Sequence, residues 1–145
     1  MIPYLVSVER VIDAPAQLLF DFVADPANHP RIDGSGTVQK ARPDNPAGLS
    51  PGARFSMDMR IVAPYVIKNE VVEFEEGRQI GWRHFNGHIW RWIFEPGADG
   101  TRVTEQWDAR PARFKLALRV LGFDRSARDG MAKSLDRLAT LAATE

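Results

Sequence analysis

Cysteine is missing from all 145 residues, which excludes disulfide staples, thiolate metal sites and cysteine nucleophiles, and fits a reducing cytosol. Charge of one sign is missing too, since 19 lysines and arginines balance 19 aspartates and glutamates. Without a net positive field, the long-range attraction that draws a protein to nucleic acid or to an anionic membrane has no source, and nucleic acid is set aside as a partner. No stretch approaches the ~18 consecutive apolar residues of a membrane span, and Met1 to Val11 carries neither a basic region nor a long apolar run. The sequence therefore predicts a soluble, cytoplasmic protein with no membrane insertion. A nucleophile elbow, a phosphate-cradling glycine loop and a Ser/His/Asp ordering are also absent, so hydrolytic and nucleotide-dependent chemistry has no local support and no cofactor is expected.

What is present fits one domain over residues 1–145. A chain of this size buries roughly 68–70% of its unfolded surface, enough for a core or for a core with a cavity. The Pro/Gly-rich stretch Arg42 to Gly52 reads as a surface loop within that domain.

The segment Phe55 to Trp107 carries the strand signal. Alternate residues of a strand face opposite sides, and Phe55, Met57, Met59 and Ile61 form one apolar set. A turn at Ala63-Pro64 with Val62 opposite Tyr65 sets Met59 against Lys68 and Met57 against Glu70. A turn at Glu76-Gly77 sets Val72 against Gly81 and Glu70 against Arg83, a cross-strand ion pair. Asn86-Gly87 suits a two-residue type I′ turn, which sets Phe85 against His88, Arg83 against Trp90 and Gly81 against Trp92, the glycine leaving room for the indole. The loop Pro96 to Gly100 then sets Phe94 against Val103, Trp92 against Glu105 and Trp90 against Trp107.

Before this meander, Tyr4 to Ile12 reads as a strand. Asp13-Ala14-Pro15 reads as a capped helix start, and Asp25-Pro26 divides two short helices. Thr37 to Ala41 begins the next strand. Towards the C-terminus, Phe114, Leu118 and Leu121 form one apolar stripe. Met131, Leu135, Leu138 and Leu141 form another, on a helix from Ser126 to Ala143. The elements predict an α+β domain in which a curved antiparallel sheet grips a long terminal helix.

Ile12-Asp13-Ala14-Pro15, Phe20, Asp25-Pro26 and His29 through Val38, together with Trp90 through Pro96 and Gly100 through Glu105, resemble the START-like (SRPBCC) superfamily, which includes polyketide cyclases/dehydrases. The resemblance covers essentially the whole chain. It implies a helix-grip fold of about seven strands with two short helices after the first strand. It also implies a hydrophobic cavity between sheet and terminal helix for lipids, hormones, polyketides or other apolar molecules.

On this register the cavity wall comprises Phe55, Met57, Met59, Glu70, Arg83, Phe85, His88, Trp90, Trp92, Glu105 and Trp107. Bulky aromatics and adaptable methionines mixed with ionisable groups suit a ligand lining better than a closed core. Arg83, paired with Glu70 and stacked on Trp90, is placed to anchor a carboxylate, enol or phenolate. Glu105, beside Trp92, is the candidate whose desolvation raises its pKa. Two functions follow: binding of a hydrophobic, aromatic or polyketide-like small molecule, or a cyclase/dehydratase in which Glu105 or Arg83 assists enolisation and water loss.

The three histidines are read as surface groups, His84 and His88 on opposite faces and His29 alone in a loop, so no metal site is expected. Ile80, Trp82, Ile89 and Ile93 would form an outer apolar patch suited to a homodimer. Arg113, Lys115, Arg119, Arg125 and Arg128 either rim the cavity mouth or form a solvated helix face.

Overall fold

A computed structural model describes residues 3–84 and 87–144. Seven strands form one antiparallel sheet: β1 (Leu5–Ile12), β2 (Val38–Ala41), β3 (Arg54–Arg60), β4 (Pro64–Glu75), β5 (Gln79–His84), β6 (Ile89–Gly97) and β7 (Gly100–Asp108). Their order across the sheet is β1-β7-β6-β5-β4-β3-β2. The helices are α1 (Ala16–Ala24), α2 (His29–Ile32), α3 (Lys115–Val120) and α4 (Phe123–Ala143), with a 3₁₀ turn at Pro26–Asn28 between the first two. The α+β sheet-and-helix architecture is the one expected from the sequence.

The β6–β7 hairpin has the expected register, with Phe94 opposite Val103, Trp92 opposite Glu105 and Trp90 opposite Trp107. Two other hairpins differ. In β3–β4, Arg60 meets Pro64, so Ile61 to Ala63 are all loop, and Met57 lies opposite Ile67 rather than Glu70. In β5–β6, Trp82 meets Trp90 and Arg83 meets Ile89, one residue away from the two-residue turn reading. The main chain closes this connection with the His84 N–H donating to the His88 carbonyl at 3.0 Å. The expected Phe85–His88 pair, and Phe85 as a lining residue, lie outside the described residues.

Each slip is an odd number of residues, three at the first hairpin and one at the second, and side chains alternate with a period of two. Together they invert β4 and β5 while leaving β3, β6 and β7 as expected. Ile67, Asn69 and Val71 therefore face inward in place of Lys68, Glu70 and Val72. Ile80, Trp82 and His84 face inward in place of Gly81 and Arg83. Ile80 is fully buried and Trp82 nearly so, which removes the proposed outer dimer patch. Ile61 is 60% exposed rather than core. Gly81 makes room on the outer face for Glu73, whose Oε1 would lie 2.8 Å from an added Cβ, and not for an indole.

The helices enclose the inner face. Phe20 on α1 meets Phe74 and Phe94 edge-on at 5.6 and 5.8 Å. The α1 N-terminus has Pro15 at its cap with no side-chain bond, so Asp13 does not cap it, whereas Asp25 caps the 3₁₀ turn by accepting from the Ala27 N–H at 3.0 Å. At 21 residues and ~1.5 Å per residue, α4 is about 31 Å long. It starts three residues earlier than expected, immediately after Gly122, whose φ of 80° breaks the chain between α3 and α4. Met131, Leu135 and Leu138 are buried against the sheet. The other expected stripe is not a core stripe: Phe114 and Leu121 are largely exposed, and only Leu118 of the three packs inward.

The crossing of α4 over the loop after α2 is unusually close. The Gly34 N–H donates to Ser134 Oγ at 2.8 Å, and that hydroxyl donates to the Gly130 carbonyl at 3.0 Å. A Cβ on Gly34 would lie 2.4 Å from Lys133 Cβ and 2.5 Å from the Gly130 oxygen. Arg137 donates to the Asp33 carbonyl, and Arg10 pairs with Asp136. Gly34→Ala must push helix and loop apart, and its expected cost is roughly 1–3 kcal/mol, the range for overpacking. Urea unfolding checks this, and an unchanged midpoint would show that the crossing tolerates a methyl group.

Candidate functional site

The inner face between the sheet and α4 is aromatic and sulfur-rich. Phe55, Met57, Met59, Trp92 and Trp107 are all buried there, with Trp90 half-buried beside them. Trp90 and Trp107 sit 6.4 Å apart between ring centroids, and His88 approaches Trp107 at 5.9 Å and Trp90 at 6.4 Å. These expected lining residues are therefore brought together on one face.

Glu70 and Arg83 are not with them. They are cross-strand neighbours as the register implied, with 3.6 Å between Arg83 Nη2 and Glu70 Oε1, but the inversion of β4 and β5 puts both on the outer face in solvent. An exposed pair of this kind contributes little, and Arg83 neither stacks on Trp90 nor faces the interior. The sheet's stronger polar cluster lies elsewhere on the same outer face. Arg91 donates twice to Glu73 at 2.6 Å, to Gln106 at 2.9 Å and to Asp108 at 3.3 Å, and Asp108 is also held by Arg110. The Arg91 hydrogen bonds hold the Glu73 carboxyl below its usual range, and those from Arg110 do the same for Asp108.

Glu105 lies inside, 4% exposed, opposite Val8 and Trp92 on the neighbouring strands. Its Oε2 has no hydrogen-bond partner. Burial raises its pKa well above the ordinary carboxylate range, and the charge of Asp33 raises it further. An unpaired carboxylate is far more costly in such surroundings than a neutral acid, so the protonated form is favoured.

Among the described residues two further inward polar atoms are unpartnered, Asn69 Oδ1 and His84 Nδ1. They belong to directly opposed residues of β4 and β5. His84 stacks on His88 at 4.4 Å, which corrects their placement on opposite faces. Burial pulls His84 well below its usual pKa, with the neighbouring His88 adding to the effect, and burial takes His88 down to about 4. His29 is also interior rather than in a surface loop. Its Nε2–H donates to the Val23 carbonyl at 2.7 Å, its ring stacks on Trp82 at 4.8 Å, and burial lowers its pKa to about 4. Among the described residues no three His, Cys, Asp or Glu side chains gather as a metal site would need.

Sequence reasoning missed Asn69, His84 and His29 as interior groups. A three-residue loop at the β5–β6 turn would have turned Ile80, Trp82 and His84 inward together, and Asn69 shares its face with Ile67 and Val71. For His29 the one local signal is its place just after the Asp25-Pro26 break.

The interior is closed in this conformation. Met131, Leu135 and Leu138 fill it from the helix side and Trp92 and Phe94 from the sheet. Two concavities of about 310 and 590 Å³ flank α4, the first lined by Arg31, Asp136, Arg137, Thr140 and Leu141, the second by Arg10 to Asp13 with Ala139, Ala142 and Ala143. Neither is lined by Glu105 or by an indole, so a ligand reaching Glu105 has to displace side chains.

The family described as polyketide cyclase / dehydrase and lipid transport matches residues 4–143. The uncharacterized protein Rv0088 of Mycobacterium tuberculosis is 38% identical over 143 residues, which cover 94% of this chain and 63% of that protein, so the chain spans less than two thirds of this relative's length. Protein NE0264 from Nitrosomonas europaea superposes with a TM-score of 0.77 at 15% identity, covering 97% of this chain and 95% of that one. Protein CV1439 from Chromobacterium violaceum gives 0.74 at 18% identity, covering 97% and 98%. These two likenesses carry the fold, a helix-grip half-barrel, and nothing about activity.

The buried titratable groups make stability pH-dependent. His29 and His88 fall to about 4 when folded, against ~6.5 in an unfolded chain. As pH drops, the unfolded chain takes up protons first, so this contribution is whole above ~6.5 and is lost towards ~4. Glu105 has the opposite sign: its folded pKa is raised, so its contribution declines as pH rises above the unfolded carboxyl value of ~4.3. With three histidines against one carboxyl, the urea midpoint should rise from pH 4 to 6.5. His29→Phe should flatten that slope and Glu105→Gln should steepen it. Equal slopes in all three proteins would contradict these assignments.

Proposed function

Because the chain belongs to the polyketide cyclase / dehydrase and lipid transport family, we propose that it binds a hydrophobic, aromatic or polyketide-like small molecule between the sheet and α4. Trp90, Trp92 and Trp107 form the apolar wall, and Glu105 is the polar contact. The observation that carries this reading is the set of unpartnered interior atoms, Glu105 Oε2, Asn69 Oδ1 and His84 Nδ1. A buried polar atom left unpaired costs about 1–3 kcal/mol, and a ligand carbonyl or hydroxyl that pairs with it recovers that loss. As a neutral acid, Glu105 donates to such an oxygen. Met57, Met59 and Met131 on the same interior are flexible enough to yield to a guest. Arg83 and Glu70, on the outer face, have no part in the site.

The affinity difference between 2-naphthol and naphthalene, read from tryptophan quenching, tests the polar contact. The intact protein should prefer the naphthol about tenfold, as one hydrogen bond allows, and Glu105→Leu should bind the two equally. A preference unchanged in the variant, or no binding of either probe, would refute the site.

A second reading is favoured by the raised pKa of Glu105, which keeps a proton on the carboxyl. The same carboxyl fits the acid and base of a cyclase or dehydratase: it gives its proton to a hydroxyl that leaves as water, and the carboxylate so formed takes the proton from the adjacent carbon, while the enclosed walls hold the chain folded. In that case Glu105→Gln should bind a poly-β-keto substrate normally and turn it over roughly 10²–10⁴-fold more slowly. Undiminished turnover would leave binding alone.

A further inference from the structure

Ala112, Leu118 and Ala127 pack inward on Trp107 and Met131, but the outward side chains of the segment from Arg110 to Arg128 take no part in the interior site, and there the chain's balanced charge separates. The segment carries six basic side chains and one acidic, Asp124, in a protein with 19 of each sign. All six basic residues are exposed. The same segment holds five large apolar side chains in solvent: Phe114, Leu116, Val120, Leu121 and Phe123, between 42% and 77% exposed. The zero total that argued against an anionic surface is a sum over this uneven distribution.

Helix geometry shows that the exposure is systematic. At ~100° per residue, Leu118 points at about 180° from the Leu116–Val120 pair, and Leu118 is the side chain that packs on the cluster of Trp107 and Met131. Leu116 and Val120 thus project directly outward. Lys115 and Arg119, one turn apart, lie along the adjacent edge, within 5.3 and 5.7 Å of the Tyr4 ring. No residue of α3 is buried. The result is a convex apolar ridge with cations beside it.

We propose that this α3 ridge is a docking surface for an anionic lipid bilayer, with the outward apolar residues seated at the headgroup level and the cations against lipid phosphates. A convex ridge of this pattern fits the interface plane of a membrane. A second copy of the chain does not fit it: even with Arg110 paired to Asp108, a two-fold contact would set like patches, each with cations in excess of its one anion, against each other. The docking is adsorption rather than spanning, since among the described residues no helix is long and apolar enough to cross a membrane. The assignment is independent of what the interior binds.

The test is co-sedimentation of the full chain with phosphatidylcholine vesicles and with vesicles carrying about 30% phosphatidylglycerol. The protein should pellet with the anionic vesicles alone and be released by about 0.5 M salt, where the Debye length falls below ~5 Å. The double substitution Val120→Ser with Leu121→Ser, both at solvent-exposed positions, should weaken binding at least about tenfold while circular dichroism and the unfolding midpoint stay unchanged. Arg113→Glu with Arg125→Glu, at exposed positions clear of the Tyr4 contact, should do the same. No pelleting with anionic vesicles would overturn the proposal. So would pelleting insensitive to both double variants, or a concentration-dependent dimer in light scattering that the serine substitutions dissolve.

Discussion

The crossing of Gly34 against Gly130 and Ser134 sets the geometry on which the interior depends. Backbone meets backbone there with no room for a methyl group, so the loop after α2 and the long helix can approach in essentially one way. That approach fixes where α4 lies across β1 and β7, and therefore which side chains it covers. It also fixes Asp33, whose carboxylate is occupied in accepting from the Ser35, Gly36 and Val38 N–H groups. Through that position its charge acts on Glu105. The larger cause of the raised Glu105 pKa is its burial, and the charge of Asp33 adds to it.

The interior that results is not a solvent-filled hollow. Its aromatic rings meet edge-on, tilted or stacked, and methionines fill the remainder, while three polar atoms among the described residues stay unpaired. A core selected for stability alone would replace them with hydrocarbon at little cost or some gain. Their presence beside the tryptophans distinguishes this interior from an all-hydrocarbon core, and they are the atoms that the proposed guest would pair with.

Much of the architecture was legible in the sequence. The period-two pattern of Phe55, Met57 and Met59, the register of Trp90 through Glu105 and the stripe of Met131, Leu135 and Leu138 each carried through to the fold. The failures came from two turns. Asn86-Gly87 and Ala63-Pro64 are strong turn signals, but they mark where a chain turns and not how many residues the loop spends. An odd miscount reverses a strand. Because both ends of the β4–β5 hairpin were miscounted by odd numbers, the Glu70–Arg83 pairing survived while its face did not. The inward face of Glu105 was read rightly because the turn at Pro96 to Gly100 set Trp92 against Glu105, the register the structure has, although the strands run on until Gly97 pairs with Gly100. The exposed stripe of α3 was misread for a different reason: helical periodicity reports an apolar face and says nothing of what that face meets.

The central claim is that the enclosed face holds a small molecule through Glu105. Native mass spectrometry of the protein purified from its own cells tests it most directly, run beside Glu105→Leu and, as a surface control, Arg83→Ala. A hydrophobic, oxygen-bearing ligand retained by the intact protein and by Arg83→Ala, but lost from Glu105→Leu, is the predicted result. A folded protein that carries nothing, or a ligand retained equally by Glu105→Leu, would contradict it.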